Sequence, residues 1–348
     1  MKVKFKNSKE LLKVLGTVEN ILKKNKTDTK LKYIKLENVN NKLCIVAMNS
    51  YMRLGYIIED TVYIEGCPML YDCKTFISLL NVLDDDIEID GSVVRSKKCK
   101  YNVPILETEG YPKELIPQIE NRKEIDTNIF KDALESVFCA TQKGEYETVL
   151  SGVYVNSDRL VACDQNRIFI KEIGTTLDKV IIPKDMVNEL LKLPFQDKIY
   201  MSIFGNNIIF EDEYLCITSN FIAKDYPKYE QLLPKENINE IAFKNKDLKN
   251  ALNLIMPVIN QFTYKCELEI TTDEMIVKVD NDNKKAETVI PIYSKEEIDK
   301  PIKIMFNINY LFDMLKVSNE EVLLYIHKSA GYTFKSEKGM QYIMPMIN

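Results

Sequence analysis

The sequence predicts an α+β fold built from three similar domains. Helical and strand-like patterns alternate along the 348 residues, and helices begin near residues 8, 72, 127, 184, 246 and 308, about 60 residues apart. A Tyr-Pro segment followed by an apolar pair and a second proline also occurs twice, at Tyr111 and Tyr226. Two helices on one side of antiparallel strands would bury the apolar faces of both in each domain.

Apolar residues at helical spacing define the helices, and alternating apolar and polar residues define the strands. Ser8 and Asp72 are the expected N-caps of the first two helices, and Pro183 suits the first turn of the fourth. Pro257 should end or kink the fifth helix. The predicted helices are 8–22, 72–83, 126–134, 183–193, 246–254 and 307–316. The predicted strands are 33–37, 43–48, 52–57, 87–90, 99–103, 149–155, 160–163, 168–172, 199–204, 207–210, 214–218, 268–271, 275–279, 321–327 and 332–335.

The predicted domains are residues 1–121, 122–237 and 238–348. Turn-rich, charged segments at 109–118 and 225–235 close the first two. Hydrophobic residues make up 45% and charged residues 28% of the chain, which is typical of a globular protein. The longest apolar runs are far shorter than a membrane span, and no signal peptide is expected.

Composition also limits the chemistry of the chain. Eight cysteines without a C-x-x-C pair, and His327 as the only histidine, argue against a zinc site and favour reduced thiols in a cytoplasmic protein. Asp84-Asp-Asp86 follows a helix and is better explained as a solvated turn than as a metal site. With no phosphate-binding glycine loop and no partner for His327, we expect a protein without catalytic residues, metal or cofactor. A nuclease or nucleotide-binding enzyme with an unrecognised site remains the alternative.

Two stretches point to a binding groove. Residues 160–170 contain two apolar strands joined by a tight turn of Asp164, Gln165 and Asn166, with Arg167 expected to point outward from the core. The last seven residues, 342–348, are apolar and uncharged, so they should lie on the protein rather than in solvent. We expect the tail and the turn to form one groove.

The whole chain resembles the bacterial DNA sliding clamps, the beta subunits of the replicative DNA polymerase III. The resemblance rests on Ser151–Val155, Leu160–Ile168, Tyr226–Lys235, Phe306–Leu315 and the Tyr-Ile-Met-Pro-Met ending. It implies a head-to-tail homodimeric ring that encircles duplex DNA without sequence specificity. Such a ring tethers the polymerase, the clamp loader and other proteins through a hydrophobic groove. A clamp-fold scaffold that no longer encircles DNA is the alternative.

The resemblance assigns three sets of residues. The groove that binds partner peptides would contain Leu150, Gly152, Asp164, Asn166, Arg167, Ile168, Pro227, Gln231, Leu232, Asn307, Tyr310, Tyr342, Met344, Pro345, Met346 and Ile347. In it Arg167 and Asn307 would hold the backbone of an extended peptide, while Met and Leu side chains form a deformable pocket. The dimer interface would contain Tyr101, Val258 and Ile259.

The third set would face DNA. A ring that slides needs diffuse positive charge on its helices, and lysine suits such mobile contacts. This set is Lys9, Lys13, Lys23, Lys24, Lys26, Lys74, Lys131, Lys143, Lys184, Lys192, Lys246, Lys249 and Lys316. The chain departs from the family at Cys163-Asp-Gln-Asn-Arg167, where Thr-Asp-Gly-His-Arg is usual. It also departs at Gln231, which replaces a basic residue, and at the Ile347-Asn348 end.

Overall fold

The computed structural model describes residues 1–6, 9–23, 30–83, 86–97, 99–112, 121–144, 148–281, 284–328 and 331–346. The helices are α1 (Lys9–Lys23), α2 (Cys73–Val82), α3 (Thr127–Phe138), α4 (Lys184–Lys192), α5 (Asn245–Ile255) and α6 (Ile308–Lys316). Each begins within one residue of its predicted start. The Asp72 carboxylate caps α2 as expected, by accepting from the backbone N of Thr75, whereas Ser8 lies outside the described residues.

Among the described residues, all strand pairs are antiparallel. The strands are β1 (Lys2–Lys6), β2 (Tyr33–Val39), β3 (Lys42–Met48), β4 (Met52–Ile58), β5 (Thr61–Glu65), β6 (Met69–Asp72), β7 (Asp86–Asp90), β8 (Val93–Arg95), β9 (Lys100–Asn102), β10 (Ile105–Glu107), β11 (Lys123–Asp126), β12 (Val153–Asn156), β13 (Arg159–Cys163), β14 (Arg167–Glu172), β15 (Val180–Ile182), β16 (Lys198–Phe204), β17 (Asn207–Glu211), β18 (Leu215–Asn220), β19 (Asn237–Lys244), β20 (Lys265–Ile270), β21 (Glu274–Asn281), β22 (Lys284–Pro291), β23 (Tyr293–Ser294), β24 (Ile302–Asn307), β25 (Glu321–His327), β26 (Tyr332–Ser336) and β27 (Gly339–Ile343).

The structure contradicts one prediction about local structure and confirms another. Residues 149–155 were expected to be one strand, but Val149–Ser151 form a 3₁₀ turn and β12 begins only at Val153. The Ser151 hydroxyl donates to the carbonyl of Thr148 and holds this turn. The prediction for Pro257 is confirmed, because α5 ends at Ile255 and a 3₁₀ turn follows at Met256–Val258.

The chain forms two compact units. The first contains residues 1–131 and 185–223, and the second contains residues 132–184 and 224–348. In the first unit, α1 packs on α2. Its two sheets have the strand orders β5-β1-β7-β8-β9 and β10-β6-β2-β3-β4-β18-β17-β16-β11. The core contains buried Val3, Phe5, Leu54, Phe76 and Phe210.

The second unit repeats this design. Its sheets have the orders β15-β12-β13-β14-β27-β26-β25-β19-β23 and β22-β21-β20-β24, and α5 packs on α6. Buried Phe169, Phe306, Phe334, Leu248 and Leu311 contribute to its core. In the described part of this unit and of the first, no helix has the length and apolar character needed to cross a membrane.

A threefold repeat appears in the strand orders. Each nine-stranded sheet consists of two groups of four or five strands, and we call such a group a half-sheet. The half-sheets form two sets with matching strand order. The first set is β5-β1-β7-β8-β9, β11-β16-β17-β18 and β23-β19-β25-β26-β27, and the second is β10-β6-β2-β3-β4, β15-β12-β13-β14 and β24-β20-β21-β22. Each half-sheet contains one strand that is followed by a helix. In the first set these strands are β1, β11 and β19, before α1, α3 and α5, and in the second set they are β6, β15 and β24, before α2, α4 and α6. The α+β prediction with two helices per repeat is confirmed, and the exact boundaries at 121 and 237 stay a prediction.

All eight cysteines are free. Cys44, Cys73, Cys163 and Cys266 are buried, Cys139 and Cys216 are partly buried, and Cys67 and Cys99 are exposed. Burial raises the pKa of the Cys266 thiol to about 12, so that this thiol stays protonated and unreactive at neutral pH.

Candidate functional site

The turn between β13 and β14 is built around one carboxylate. Cys163 pairs with Ile168 across the hairpin. The Asp164 Oδ1 atom accepts hydrogen bonds from the backbone N of Asn166 at 2.8 Å and of Arg167 at 3.1 Å. This local bonding is what favours aspartate in tight turns. It fixes the turn and leaves the side chain of Asn166 exposed.

Arg167 does not point outward, and that prediction is wrong. The residue is 2% exposed. Its Nε donates to Asp164 Oδ2 at 3.0 Å, its Nη1 to Asp313 Oδ2 at 2.7 Å, and its Nη2 to the carbonyl of Cys139 at 2.5 Å. The alternation of β14 suggested an outward position, but a guanidinium with two carboxylates and a carbonyl can be buried at acceptable cost.

Aromatic rings enclose the same guanidinium. Its carbon lies 4.4 Å from the ring centre of Tyr310 and 5.5 Å from that of Phe169. Burial opposes the positive charge, but the hydrogen bond and charge of Asp313 and the charge of Asp164 outweigh it and raise the pKa of Arg167. Burial, followed by the nearby Asp313 charge, raises the pKa of the Cys139 thiol to about 12.

The C-terminal tail lies on the protein, as predicted, up to residue 346. Strand β27 pairs with β14, so that Tyr342 stands opposite Ile168. Beyond the strand, the backbone N of Met344 donates to the carbonyl of Asn166 at 2.8 Å. The backbone N of Met346 donates to the carbonyl of Met305 at 2.8 Å. The tail is therefore joined both to the turn and to β24, whereas Ile347 lies outside the described residues.

An apolar cluster forms the floor beside the turn. Its buried members are Val161, Cys163, Ile168, Ile170, Tyr229 and Tyr342, and Leu150, Tyr154, Tyr226, Leu233 and Met340 pack against it. We call the exposed edge of this floor, together with the turn and the tail, the groove. Met344 belongs to it and is 39% exposed. The structure thus brings Leu150, Ile168 and Tyr342 together, as expected.

Sequence reasoning missed the aromatic residues that hold the closing segment on this floor. Tyr154 stacks on Tyr226 with ring centres 4.6 Å apart, and the Tyr226 hydroxyl lies 3.1 Å from Cys163 Sγ. Burial raises the pKa of Tyr226. The Tyr229 hydroxyl accepts from Asn156 Nδ2 at 2.8 Å. The repeated Tyr-Pro pattern at Tyr226 was the available signal, because it marked this segment as structurally special.

The other expected groove residues differ in burial and in their contacts. Asn307 caps α6, because its side-chain oxygen accepts from the backbone N of Asn309 at 3.0 Å. Its contact with a peptide stays a prediction. Leu232 is 63% exposed, and its neighbour Leu233 is the leucine that packs on the floor. Pro227 and Gln231 are exposed, Gly152 is buried, and Pro345 and Met346 are partly buried.

A polar cavity of about 270 Å³ adjoins the turn. Its lining comprises Gln142, Lys143, Asp164, Gln165, Asn166, Arg167 and Tyr310. The Nδ2 of Asn166 donates to the Tyr310 hydroxyl at 3.2 Å on this side. Lys143 was expected on a DNA-facing helix, but α3 ends at Phe138 and Lys143 lines this cavity instead.

The other lysines of the DNA-facing set vary in exposure. Lys13, Lys23, Lys74, Lys192, Lys246, Lys249 and Lys316 are exposed on helices, as a DNA-facing role requires. Lys184 and Lys131 are partly buried, and Lys131 donates to the carbonyl of Leu193 at 2.5 Å, which departs from the mobile contact expected of it. Lys24, Lys26 and the side chain of Lys9 lie outside the described part. The orientation of the whole lysine set towards DNA stays a prediction.

Of the residues expected at the dimer interface, Tyr101 lies on an edge strand, and Val258 and Ile259 lie in or after the turn beside another edge strand. Tyr101 is the middle residue of β9, the last strand of its sheet. Val258 ends the 3₁₀ turn that packs beside β22, and its carbonyl accepts from Asn281 Nδ2 at 2.6 Å. Ile259 follows it and is partly buried.

The described residues contain no group of three or more His, Cys, Asp or Glu side chains arranged to hold a metal ion. Asp84 and Asp85 lie outside them. His327 is 8% exposed, with Nε2 2.9 Å from Thr333 Oγ1 and Nδ1 3.3 Å from the carbonyl of Glu236. These contacts make it a bonded core residue.

The threefold repeat of helices and sheets and the groove are the features of a DNA clamp. Residues 230–346 match the family model of the DNA polymerase III beta subunit, C-terminal domain. The chain is 25% identical over 339 residues to a beta sliding clamp of Buchnera aphidicola, covering 92% of this chain and 91% of the relative. These findings confirm the resemblance to the bacterial sliding clamps.

Solved structures agree on the fold. The DNA polymerase sliding clamp of Bacillus subtilis superposes with a TM-score of 0.87 at 19% identity, over 100% of this chain and 99% of that one. The sliding clamp (DNA polymerase III subunit beta) of Pseudomonas aeruginosa, solved bound to griselimycin, superposes with a TM-score of 0.89 at 18% identity over the whole of both chains.

Proposed function

We propose that this chain is a processivity factor of DNA replication: a sliding clamp that encircles duplex DNA as a head-to-tail homodimer. It acts in the cytoplasm without catalysis or cofactor. It holds a polymerase, a clamp loader and other proteins on DNA through the groove. Topological linkage replaces tight binding, so neither base-specific contacts nor high DNA affinity is required.

The observation that carries the proposal is the pattern of sheet edges. Within the chain, the last strand of a half-sheet of the second set pairs with the last strand of a half-sheet of the first set at two places. These pairs are β4 with β18 and β14 with β27. By the same correspondence, the third such pair is β22 with β9. Both strands are terminal in their sheets and unpaired on that side among the described residues. Such open edges invite pairing with another chain.

A second copy of the chain satisfies both open edges. The β9 edge of one copy would pair antiparallel with β22 of the other, and the reciprocal pair would close the assembly. A head-to-tail contact that closes in this way gives a ring, whereas one that does not close gives a filament. Tyr101, Val258 and Ile259 lie at these edges, which supports their assignment to the interface.

The groove supports the second half of the proposal. It offers an apolar floor, a partly exposed methionine and exposed polar groups on the turn, a combination suited to short peptides with a hydrophobic anchor. Because Arg167 is neutralised by two aspartates, apolar contact and backbone groups supply most of the binding energy in this proposal. Griselimycin, present in the Pseudomonas aeruginosa structure, is a suitable probe.

The test is retention on DNA of two topologies. The protein, loaded by a bacterial clamp loader, is followed on a closed circular plasmid and on the same plasmid after linearisation. We expect it to stay on the circle and to leave the linear molecule through its ends. Equal loss from both would contradict the proposal and would favour a clamp-fold scaffold that binds proteins only.

A further inference from the structure

We propose that Asp313 and Arg167 are positioning residues of the groove, with Arg167 acting through its neighbours rather than by touching a peptide. The inference rests on the proposed function, because it concerns the same groove. It departs from the expectation that Arg167 holds the backbone of the bound peptide.

Each side-chain nitrogen of Arg167 already donates one hydrogen bond, which uses three of the five N–H groups of a guanidinium. Three of its nitrogens donate to Asp164, Asp313 and Cys139, and its side chain is 1% exposed. The aromatic ring of Tyr310 covers the guanidinium at 4.4 Å. A peptide in the groove would need to displace these partners to reach the guanidinium, and a buried charge that loses its partners is strongly unfavourable.

The arginine joins three parts of the second unit. Asp164 lies in the turn, Cys139 just after the end of α3, and Asp313 on α6. These contacts bridge sequence separations of 28 and 146 residues. Because the guanidinium is planar and forked, it fixes the direction of each partner as well as its distance.

The positioned surface begins at Tyr310. Tyr310 and Asp313 are three positions apart on α6, so they lie on one helix face. The Tyr310 hydroxyl accepts from Asn166 Nδ2, and the Asn166 carbonyl accepts from the backbone N of Met344. Contacts therefore run without a gap from Asp313 through Arg167, Tyr310 and Asn166 to the partly exposed methionine of the tail.

Asp313 is the informative residue to change. Its side chain is 29% exposed, so it is less buried than Arg167, and it supplies the shorter of the two ion pairs of Arg167. Without it, Arg167 keeps Asp164 and the ring of Tyr310 but loses its ion pair with α6, so that the turn is held less firmly against this helix. We expect the tail to detach from the turn more often.

The test compares Asp313→Ala, Asp313→Asn and Asp313→Glu with the wild-type chain. Griselimycin affinity is measured by calorimetry, and hydrogen exchange is measured at the backbone N of Met344. For Asp313→Ala we expect the Kd to rise, and exchange at Met344 to accelerate, each by about tenfold or more. Asp313→Glu, which restores the charge, should return both to within about threefold of wild type.

Controls separate the possible failures. Asp178→Ala removes an exposed aspartate of the same unit and should leave both quantities unchanged. If Asp313→Ala does not fold, Asp313→Asn, which keeps the side-chain size, takes its place with the same expected direction. Wild-type affinity together with unchanged Met344 exchange would overturn the inference. Absence of griselimycin binding by the wild-type chain would count against the proposed function, and the exchange measurement would still decide the inference.

Discussion

Tyr342 lies directly over Gly331, so closely that a β-carbon on Gly331 would collide with the tyrosine ring and its hydroxyl. Gly331 also has a φ of 105°, a backbone angle that residues with a side chain rarely adopt. Tyr342 is 4% exposed, and its hydroxyl donates to Met344 Sδ at 3.3 Å. The absence of a side chain at Gly331 thus allows Tyr342 to complete the groove floor.

Replacing Gly331 by alanine should therefore disturb the groove as well as the backbone. We expect Gly331→Ala to lower the free energy of unfolding by more than about 2 kcal/mol, because strain and overpacking add. Gly174→Ala is the matched control: its φ is 69°, and nothing lies within 4 Å of the added carbon. It should cost about 1 kcal/mol of backbone strain alone. Denaturant unfolding of both variants measures the difference, and equal losses would contradict the packing argument.

Removal of the buried guanidinium should have a larger effect. Arg167→Ala leaves Asp164 and Asp313 facing each other without a cation, and loss of one partner of a buried ion pair costs about 3–5 kcal/mol. Arg159→Ala is the control, because Arg159 pairs only with exposed Asp158 in the described structure; it should cost less than about 1 kcal/mol. Similar losses in the two variants, measured by denaturant unfolding, would show that Arg167 is not a buried ion-pair residue.

Much of the fold followed from local patterns. The helix starts were accurate because the amphipathic period is long and clear in all six helices. The strands that lead into helices were not predicted: β11 reads Lys-Glu-Ile-Asp, with one buried residue, and β15 has only three residues. Such short or charged strands depend on pairing with distant neighbours, which local periodicity does not contain.

The groove was predicted only in outline. The turn and the tail came from sequence, since unusual polarity marked the first and unusual apolarity the second. The direction of Arg167 could not be predicted, because it depends on Asp313, 146 positions away. The sequence could not show which of Leu232 and Leu233 is buried. Leu233 packs on the floor because of the path of the closing segment, which local sequence does not determine.

His327 predicts a loss of stability in mild acid. Burial lowers its pKa below the ordinary value of 6.5. Above that value the histidine is neutral in both states, and its contribution is fully present. As the pH falls below 6.5, the unfolded chain takes up the proton first, so the free energy of unfolding falls, by at most about 1.4 kcal/mol per pH unit.

His327→Gln should remove this part of the pH dependence. A neutral ring that donates from Nδ1 to the Glu236 carbonyl accepts from the Thr333 hydroxyl at Nε2, and protonation would abolish that acceptor. The free energy of unfolding is measured between pH 7.5 and 5 for both chains. Parallel curves would show that His327 does not titrate on unfolding.

The exposed cysteines should report on assembly. Cys99 precedes β9, and its hydrogen bond raises the pKa of Tyr101. If β9 pairs with a second copy, maleimide modification of Cys99 should slow as protein concentration rises. Cys67, exposed in the loop before β6, should react at a constant rate and serves as the internal control. Mass spectrometry of each peptide gives both rates, and a concentration-independent rate at Cys99 would argue against pairing at this edge.

The direction of that assembly can be tested by mixing two defective chains. Tyr101→Asp places a charge on the β9 edge, and Ile259→Asp places one beside β22. Each variant alone should be monomeric in dilute solution, because every head-to-tail contact uses both edges. Val62→Asp, at an exposed position of β5 on the opposite edge of the β9 sheet, should remain dimeric as the control.

An equal mixture of the two defective chains should regain dimers. One contact then contains both charges, but the other joins the unmodified β9 of the Ile259→Asp chain to the unmodified β22 region of the Tyr101→Asp chain. Native mass spectrometry of chains with different isotope labels should show heterodimers and no homodimers. In a like-to-like dimer, where β9 meets β9, mixing could not restore an intact contact for the Tyr101→Asp chain. Persistent monomers in the mixture would therefore refute the head-to-tail arrangement.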